Sequence, residues 1–187
     1  MAPMNTAWSS LRVNQDRFHR RFLELSTIGV VNKTGVHRLA LSTDHLRARQ
    51  WFLDEAQASG LETRVDGAGN HSAVLVCGEE KAPTLLLGSH LDTVPRGGRF
   101  DGALGVLAAL EVLHVIKENN LQLSTHLEAM DFTDEEGTYL GCFGSQALSG
   151  TLSTTQLSHS IGALENFAAG LLRAGMTPES ILAARRD

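Results

Sequence analysis

Apolar residues recur along the chain with two different periods. In residues 14–25, Phe18, Phe22 and Leu25 return at three- and four-residue spacing among Arg, His and Glu, which predicts a helix with one buried face. Residues 27–33, with Gly29, read as a loop. Ser42 is placed to cap a second helix reaching Ala58, with Leu46, Trp51, Phe52 and Leu53 as its apolar stripe and Gly60 as its stop. The period then drops to two. Residues 61–66 and 72–77 read as strands joined by the turn Gly67-Ala68-Gly69-Asn70, a hairpin. TLLLGSH, residues 84–90, is a continuous apolar run and predicts a strand covered on both faces. After a Gly- and Pro-containing loop over 94–100, residues 103–118 are so rich in Ala, Leu and Val that the helix they predict should be buried on most sides. Residues 125–132 read as a strand ending at an acidic turn, 133–137. Residues 143–148 suit one helical turn or more, and 164–173 an amphipathic helix. Thr177-Pro178 opens a last short helix. Strands alternating with helices give an α/β layered domain.

The chain has 187 residues, enough for one domain with its own core. Its net charge of −5 leaves no basic face to neutralise phosphates, which argues against nucleic acid or an anionic membrane as the main partner. No apolar run approaches the length of a bilayer span, and MAPMNTAWSSLRVNQDR lacks the apolar centre of a secretion signal. Cys77 and Cys142 do not make a disulfide framework, so a reducing cytoplasm is the default location.

Candidate chemistry gathers at predicted strand ends, where α/β sheets bind ligands. His90 and Asp92 are two apart and point the same way in extended chain. Imidazole suits zinc and similar metals, and a nearby carboxylate can fix its tautomer. Taken alone, His90 reads as well as a histidine hydrogen-bonded at a strand end. Asp101, inside GGRFDG, precedes the Ala-rich helix, and is either its N-cap or a carboxylate that bridges cations. The run Asp131-Phe132-Thr133-Asp134-Glu135-Glu136-Gly137 crowds four carboxylates, a costly arrangement unless solvent or cations compensate.

Together these clusters resemble a known pattern. GSHLDTVPRGGRFDGALGVLAALEV, residues 88–112, is similar to the first metal motif of the M20-type metallohydrolases, most closely their hydantoinase/carbamoylase branch. FTDEEG (132–137), GSQALSG (144–150), GVHRLALS (35–42) and DGAGN (66–70) resemble further segments of that branch. The resemblance implies a mixed sheet with flanking helices, as in a partial catalytic domain. It implies that His90 and Glu136 each bind one of two divalent ions (zinc, manganese, cobalt or nickel), with Asp101 bridging them. Glu135 is then the general base and Asp92 orients His90. A cis peptide is implied at Asp101-Gly102. The implied reaction is attack of activated water on an amide or ureido carbon, as in N-carbamoyl-L-amino acids or allantoate.

The resemblance also carries departures. The branch uses two further histidine ligands, one in a motif like HIEQG, and neither is present. His159 is the one histidine after Glu136 and matches neither motif. The inserted dimerisation or lid domain is absent too. Residues 1–187 thus read as the N-terminal part of a catalytic domain, homodimeric when full length, and the fragment should expose a sheet edge and self-associate. An inactive fragment, or an M20-type dipeptidase or aminoacylase, are the other readings. His19, His37, His45, His71, His114 and His126 are expected at surfaces or in ordinary hydrogen bonds, with His71 facing solvent and His114 facing out. Trp8, Trp51 and the phenylalanines are expected in packing, Cys142 as a partly buried thiol, and Arg96 and Arg99 as solvated loop charges with a possible hold on a substrate carboxylate.

Overall fold

The computed structural model describes residues 9–163 and 166–186. Helix α1 (Gln15–Thr27) opens at Asn14, whose side chain accepts from the Arg17 N–H. Two short strands follow, β1 (Val30–Val31), inside the expected loop 27–33, and β2 (Gly35–Val36), just after it. They pair antiparallel with each other, and β2 pairs with β6 (Gly97–Gly98). Helix α2 (Thr43–Ala58) is capped by Ser42 as expected, its side chain accepting from the His45 N–H. Its buried face differs from the expected stripe: His45, Ala48, Arg49, Phe52 and Ala56 point inward, while Leu46, Trp51 and Leu53 are half-buried. Its polar members have buried partners: His45 accepts the Leu41 N–H, and Arg49 reaches the Gly69 carbonyl, Thr133 and Asp131.

The main sheet has the order β3-β4-β7-β5, with β3 (Glu62–Val65), β4 (His71–Leu75), β5 (Thr84–His90) and β7 (His126–Phe132). β3/β4 and β4/β7 are antiparallel and β5/β7 is parallel, so the sheet is mixed. Helix α3 (Ala103–Glu118) is the crossover between β5 and β7. It lies with α1 and α2 on one face, where Phe22, Leu25, Phe52, Leu107, Leu110, Leu113 and Leu127 form the larger core. Each such fully buried side chain contributes about 1.5–3 kcal/mol relative to exposure. A second core, with Leu41, Phe143, Phe167, Leu171 and Ile181, lies beneath α4 (Phe143–Ser149), α5 (Thr154–Ala163), α6 (Phe167–Arg173) and α7 (Pro178–Leu182). α5 was not expected. The helix predicted over 164–173 begins at Phe167, and residues 164 and 165, like Trp8, lie outside the described residues. Thr177 and Ser180 form a reciprocal cap on α7.

β5 departs from the expectation of a strand covered on both faces. It lies at the sheet edge with Leu85 51% exposed, and the buried central strand is β7. α3 is buried on most sides as expected, with Leu104 and Val112 facing outward.

Candidate metal centre

The parallel register of β5 and β7 builds the site. His90 stands opposite Phe132, so the segments leaving both strands, 91–93 and 133–137, emerge side by side. The turn 96–102 then returns Asp101 to the same place. His90, Asp101 and Glu136 each offer a ligand atom, and these atoms lie within 4.8 Å of one another. Among the described residues no other group of three such side chains is so arranged.

Local geometry assigns each carboxylate in this crowded region a separate partner. Asp92 is fully buried, and its two oxygens accept the backbone N–H groups of Glu135 (3.3 Å) and Glu136 (3.1 Å). Its backbone carbonyl accepts from His90 Nδ1 at 3.0 Å, while its carboxylate stands 3.7 Å from that nitrogen. The carbonyl can only accept, so Nδ1 carries the proton and Nε2 keeps a free lone pair for a metal. Asp131 accepts the Leu91 N–H at 2.7 Å and pairs with Arg49 Nε at 3.0 Å. Asp134, at φ 52°, collects the N–H groups of Thr138, Tyr139 and Leu140 at 2.7–3.0 Å. Burial raises both Asp131 and Asp134 to about 6, against the pull of Arg49 on the first and of backbone N–H groups on the second. Glu135 has Ser145 Oγ 2.8 and 3.0 Å from its two oxygens. Glu136 is raised by burial and then by the adjacent Asp101 carboxyl.

That last pair tests whether a cation fits. Two carboxyl groups in contact beside an imidazole with a free nitrogen form a donor set short of positive charge, and a divalent ion supplies it. The cap reading of Asp101 does not hold, since the N-cap of α3 is Gly102, which has no side chain to cap with. The expected cis bond is absent: no peptide among the described residues is cis, and Gly102 reverses the chain through φ 64° instead. An added Cβ there would press on the His90 carbonyl and lie 2.5 Å from its ring. A cavity of about 330 Å³ opens beside Glu136, lined by Leu39, Thr93, Val94, Pro95, Gly137 and Thr138.

Other sequence expectations are corrected here. His71 does not face solvent; burial and then Arg49 push it down to about 3, and its Nδ1 donates to the Gly69 carbonyl at 2.7 Å. His114 is buried against Arg21 (3.1 Å) and the Leu110 carbonyl (2.9 Å). His45 is fully buried with Nδ1 accepting the Leu41 N–H. Cys142 is exposed, and neither it nor Cys77 is in a disulfide. Arg99 lies over the Phe22 and Phe100 rings. Arg38, Arg49 and Ser145 were missed as site residues. All three lie in predicted elements or resembling motifs, but nothing in periodicity marks an arginine that will be buried.

The profile of peptidase family M28 matches residues 72–171. The chain belongs to that family. Its likeness within and around the family is to the hydantoinase/carbamoylase enzymes, as the motifs suggested, though the matching profile carries the M28 label and not M20. The N-carbamoyl-L-amino acid amidohydrolase of Geobacillus stearothermophilus is 34% identical over 176 residues, 93% of this chain and 43% of the relative. The allantoate amidohydrolase of Bacillus subtilis is 35% identical over 131 residues, 69% and 32%. The crystal structure of a hydantoinase/carbamoylase family amidase from Burkholderia ambifaria superposes with a TM-score of 0.80 at 34% identity, covering 88% of this chain and 41% of that one. This chain therefore spans less than half the length of these relatives. No helix among the described residues is long and apolar enough to cross a membrane.

Proposed function

We propose that this chain carries the first half of a metal-dependent amidohydrolase site acting on C–N bonds of linear amides or ureido compounds, such as N-carbamoyl-L-amino acids or allantoate. The observation that carries the reading is the convergence of His90, Asp101 and Glu136 within 4.8 Å. His90 would hold a divalent cation through Nε2, Glu136 would hold a second, and Asp101 would bridge them. Bound there, such cations polarise the scissile carbonyl and acidify the attacking water. Glu135 takes the proton of that water and passes it to the leaving nitrogen. Ser145 keeps its carboxylate apart from the ligand set, and Asp92 holds the backbone of both glutamates. With an N-carbamoyl amino acid the products are the amino acid, ammonia and carbon dioxide. The cavity beside Glu136 gives a small substrate room. Further ligands, a lid and a homodimer interface would have to come from the part of the relatives' length that this chain does not cover.

A second reading has its own support: the chain covers 43% of its Geobacillus relative, and three ligands are few for two ions. In that reading the chain folds and binds a cation without turnover. One experiment separates them. The chain is incubated with zinc, manganese, cobalt or nickel and assayed for ammonia from N-carbamoyl-L-amino acids and allantoate, and for cleavage of dipeptides. Ureido turnover that Glu135→Gln lowers by about 10²–10⁴-fold supports the first reading. Metal uptake without turnover supports the second. Dipeptide cleavage alone would move the assignment to a peptidase, and neither uptake nor turnover overturns both readings.

A further inference from the structure

Two buried arginines act on one residue, Leu91, beside the candidate metal centre, Arg38 directly and Arg49 through Asp131. Arg38 is 1% exposed and Arg49 is 1% exposed, yet neither touches His90, Asp101 or Glu136 through any hydrogen bond. Burying a guanidinium is expensive unless its donors are placed with care. Arg38 Nε donates to the Leu91 carbonyl at 2.9 Å, and its Nη1 donates to the Leu25 and Ile28 carbonyls at 3.1 and 3.2 Å. Its backbone is tied to the same segment, with Arg38 N–H donating to Thr93 Oγ1 and Thr93 N–H to the Arg38 carbonyl, both at 2.9 Å. Arg38 thus anchors the chain leaving β5 to the end of α1.

The other side of Leu91 is held from the opposite direction. Its N–H donates to Asp131 Oδ1 at 2.7 Å, and Asp131 Oδ2 faces Arg49 Nε at 3.0 Å. Arg49 continues to the Gly69 carbonyl and to Thr133 Oγ1, each at 2.9 Å. Thr133 lies two residues before Glu135. Leu91 lies between His90 and Asp92. Arg38 therefore holds the exit of β5, which bears His90, against α1, while Arg49, through Asp131 and Thr133, links it to the exit of β7, which bears Glu135 and Glu136.

We propose that Arg38 and Arg49 are positioning residues for the metal-binding triad, holding the two peptide units that flank Leu91, Arg38 by the Leu91 carbonyl and Arg49, through Asp131, by the Leu91 N–H. The inference rests on the metal-site reading above. A freely rotating peptide after His90 would swing the imidazole and the Asp92 carbonyl that orients it. Outer hydrogen-bond partners of metal ligands typically govern affinity by about 10–100-fold.

The test uses Co²⁺ alone as the probe, read by its visible d–d absorption and by equilibrium dialysis, with circular dichroism and thermal unfolding to check folding. Arg38→Met removes the carbonyl grip. Arg49→Met with Asp131→Leu removes the amide grip while deleting both buried charges together, which leaves no unpaired ion. The expected result is a folded protein whose Co²⁺ dissociation constant rises about 10–100-fold with an altered band shape, partly restored by Arg38→Lys. If either folded variant keeps wild-type affinity and spectrum, the positioning role is wrong, although the metal site stands. If the wild type takes up no Co²⁺, the metal-site reading itself is lost and this inference with it. If both variants unfold, the arginines hold the fold as a whole and the inference is overturned.

Discussion

Gly102 sits at φ 64° where any β-carbon would press into the His90 carbonyl and ring, so the site depends on a residue with no side chain. Gly102→Ala meets both an unfavourable backbone and the ring, and a positive-φ alanine alone costs about 1–2 kcal/mol. Urea denaturation should show at least that loss, whereas Gly98→Ala, which meets nothing within 4 Å, should stay near wild type. His71 makes a second residue-scale prediction. Its folded pKa lies near 3, below the ordinary 6.5, because the ring is buried and Arg49 adds to the cost of charging it. The unfolded chain therefore binds the proton first, so the stabilisation is present above pH 6.5 and is lost as the pH falls towards 3. Between pH 7 and pH 4 the wild type should lose more unfolding free energy than His71→Asn, and parallel losses would contradict the assignment. At this scale the motifs named His90, Asp101 and Glu136, which the fold brings within 4.8 Å of one another, and Asp92, whose carboxylate accepts the Glu135 and Glu136 N–H groups. The sequence was not legible at Arg38, Arg49 or Ser145, whose roles come from partners far along the chain. His71, next to a turn, carried no local sign of the arginine that would cover it.

The helices α1, α2 and α3 were placed nearly to the residue, because caps at Asn14 and Ser42 and an unbroken Ala/Leu/Val run fix their ends locally. β5 and β7 were placed as strands, yet β5 lies at the sheet edge and not under cover on both faces, since strand order is set by non-local pairing that no single run reveals. The ion cluster between α1 and α3 was not legible for the same reason. Glu111, amid apolar neighbours, is 1% exposed and is bonded by Arg17 at 2.7 Å and by the Asn14 N–H at 2.8 Å. Removing one member of such a buried pair leaves a stranded charge, so Glu111→Ala should cost about 3–5 kcal/mol. Glu118, 53% exposed and bonded to the same arginine, should cost about 0–1 kcal/mol when replaced by alanine. Thermal melting of the two variants checks the contrast; equal effects would show that the α1–α3 ion cluster is a surface feature.

Among the described residues two hydrophobic cores flank a mixed four-stranded sheet whose edge strands are β3 and β5. β5 carries no charge and no proline along its seven residues, and its Leu85 is 51% exposed. Such an edge templates further pairing. The chain should therefore show concentration-dependent association in sedimentation, weakened by Leu85→Lys, and a monomer at all concentrations would contradict this. The functional account rests on a single spatial fact, that an imidazole and two carboxylates from three segments share one point. Isothermal titration with Zn²⁺ tests it most directly, comparing the wild type with His90→Ala, Asp101→Asn and Glu136→Gln. The account predicts saturable uptake that weakens by about tenfold or more in each variant while the melting temperature without metal stays unchanged. Uptake that is the same in all four proteins, or absent from the wild type, would contradict it.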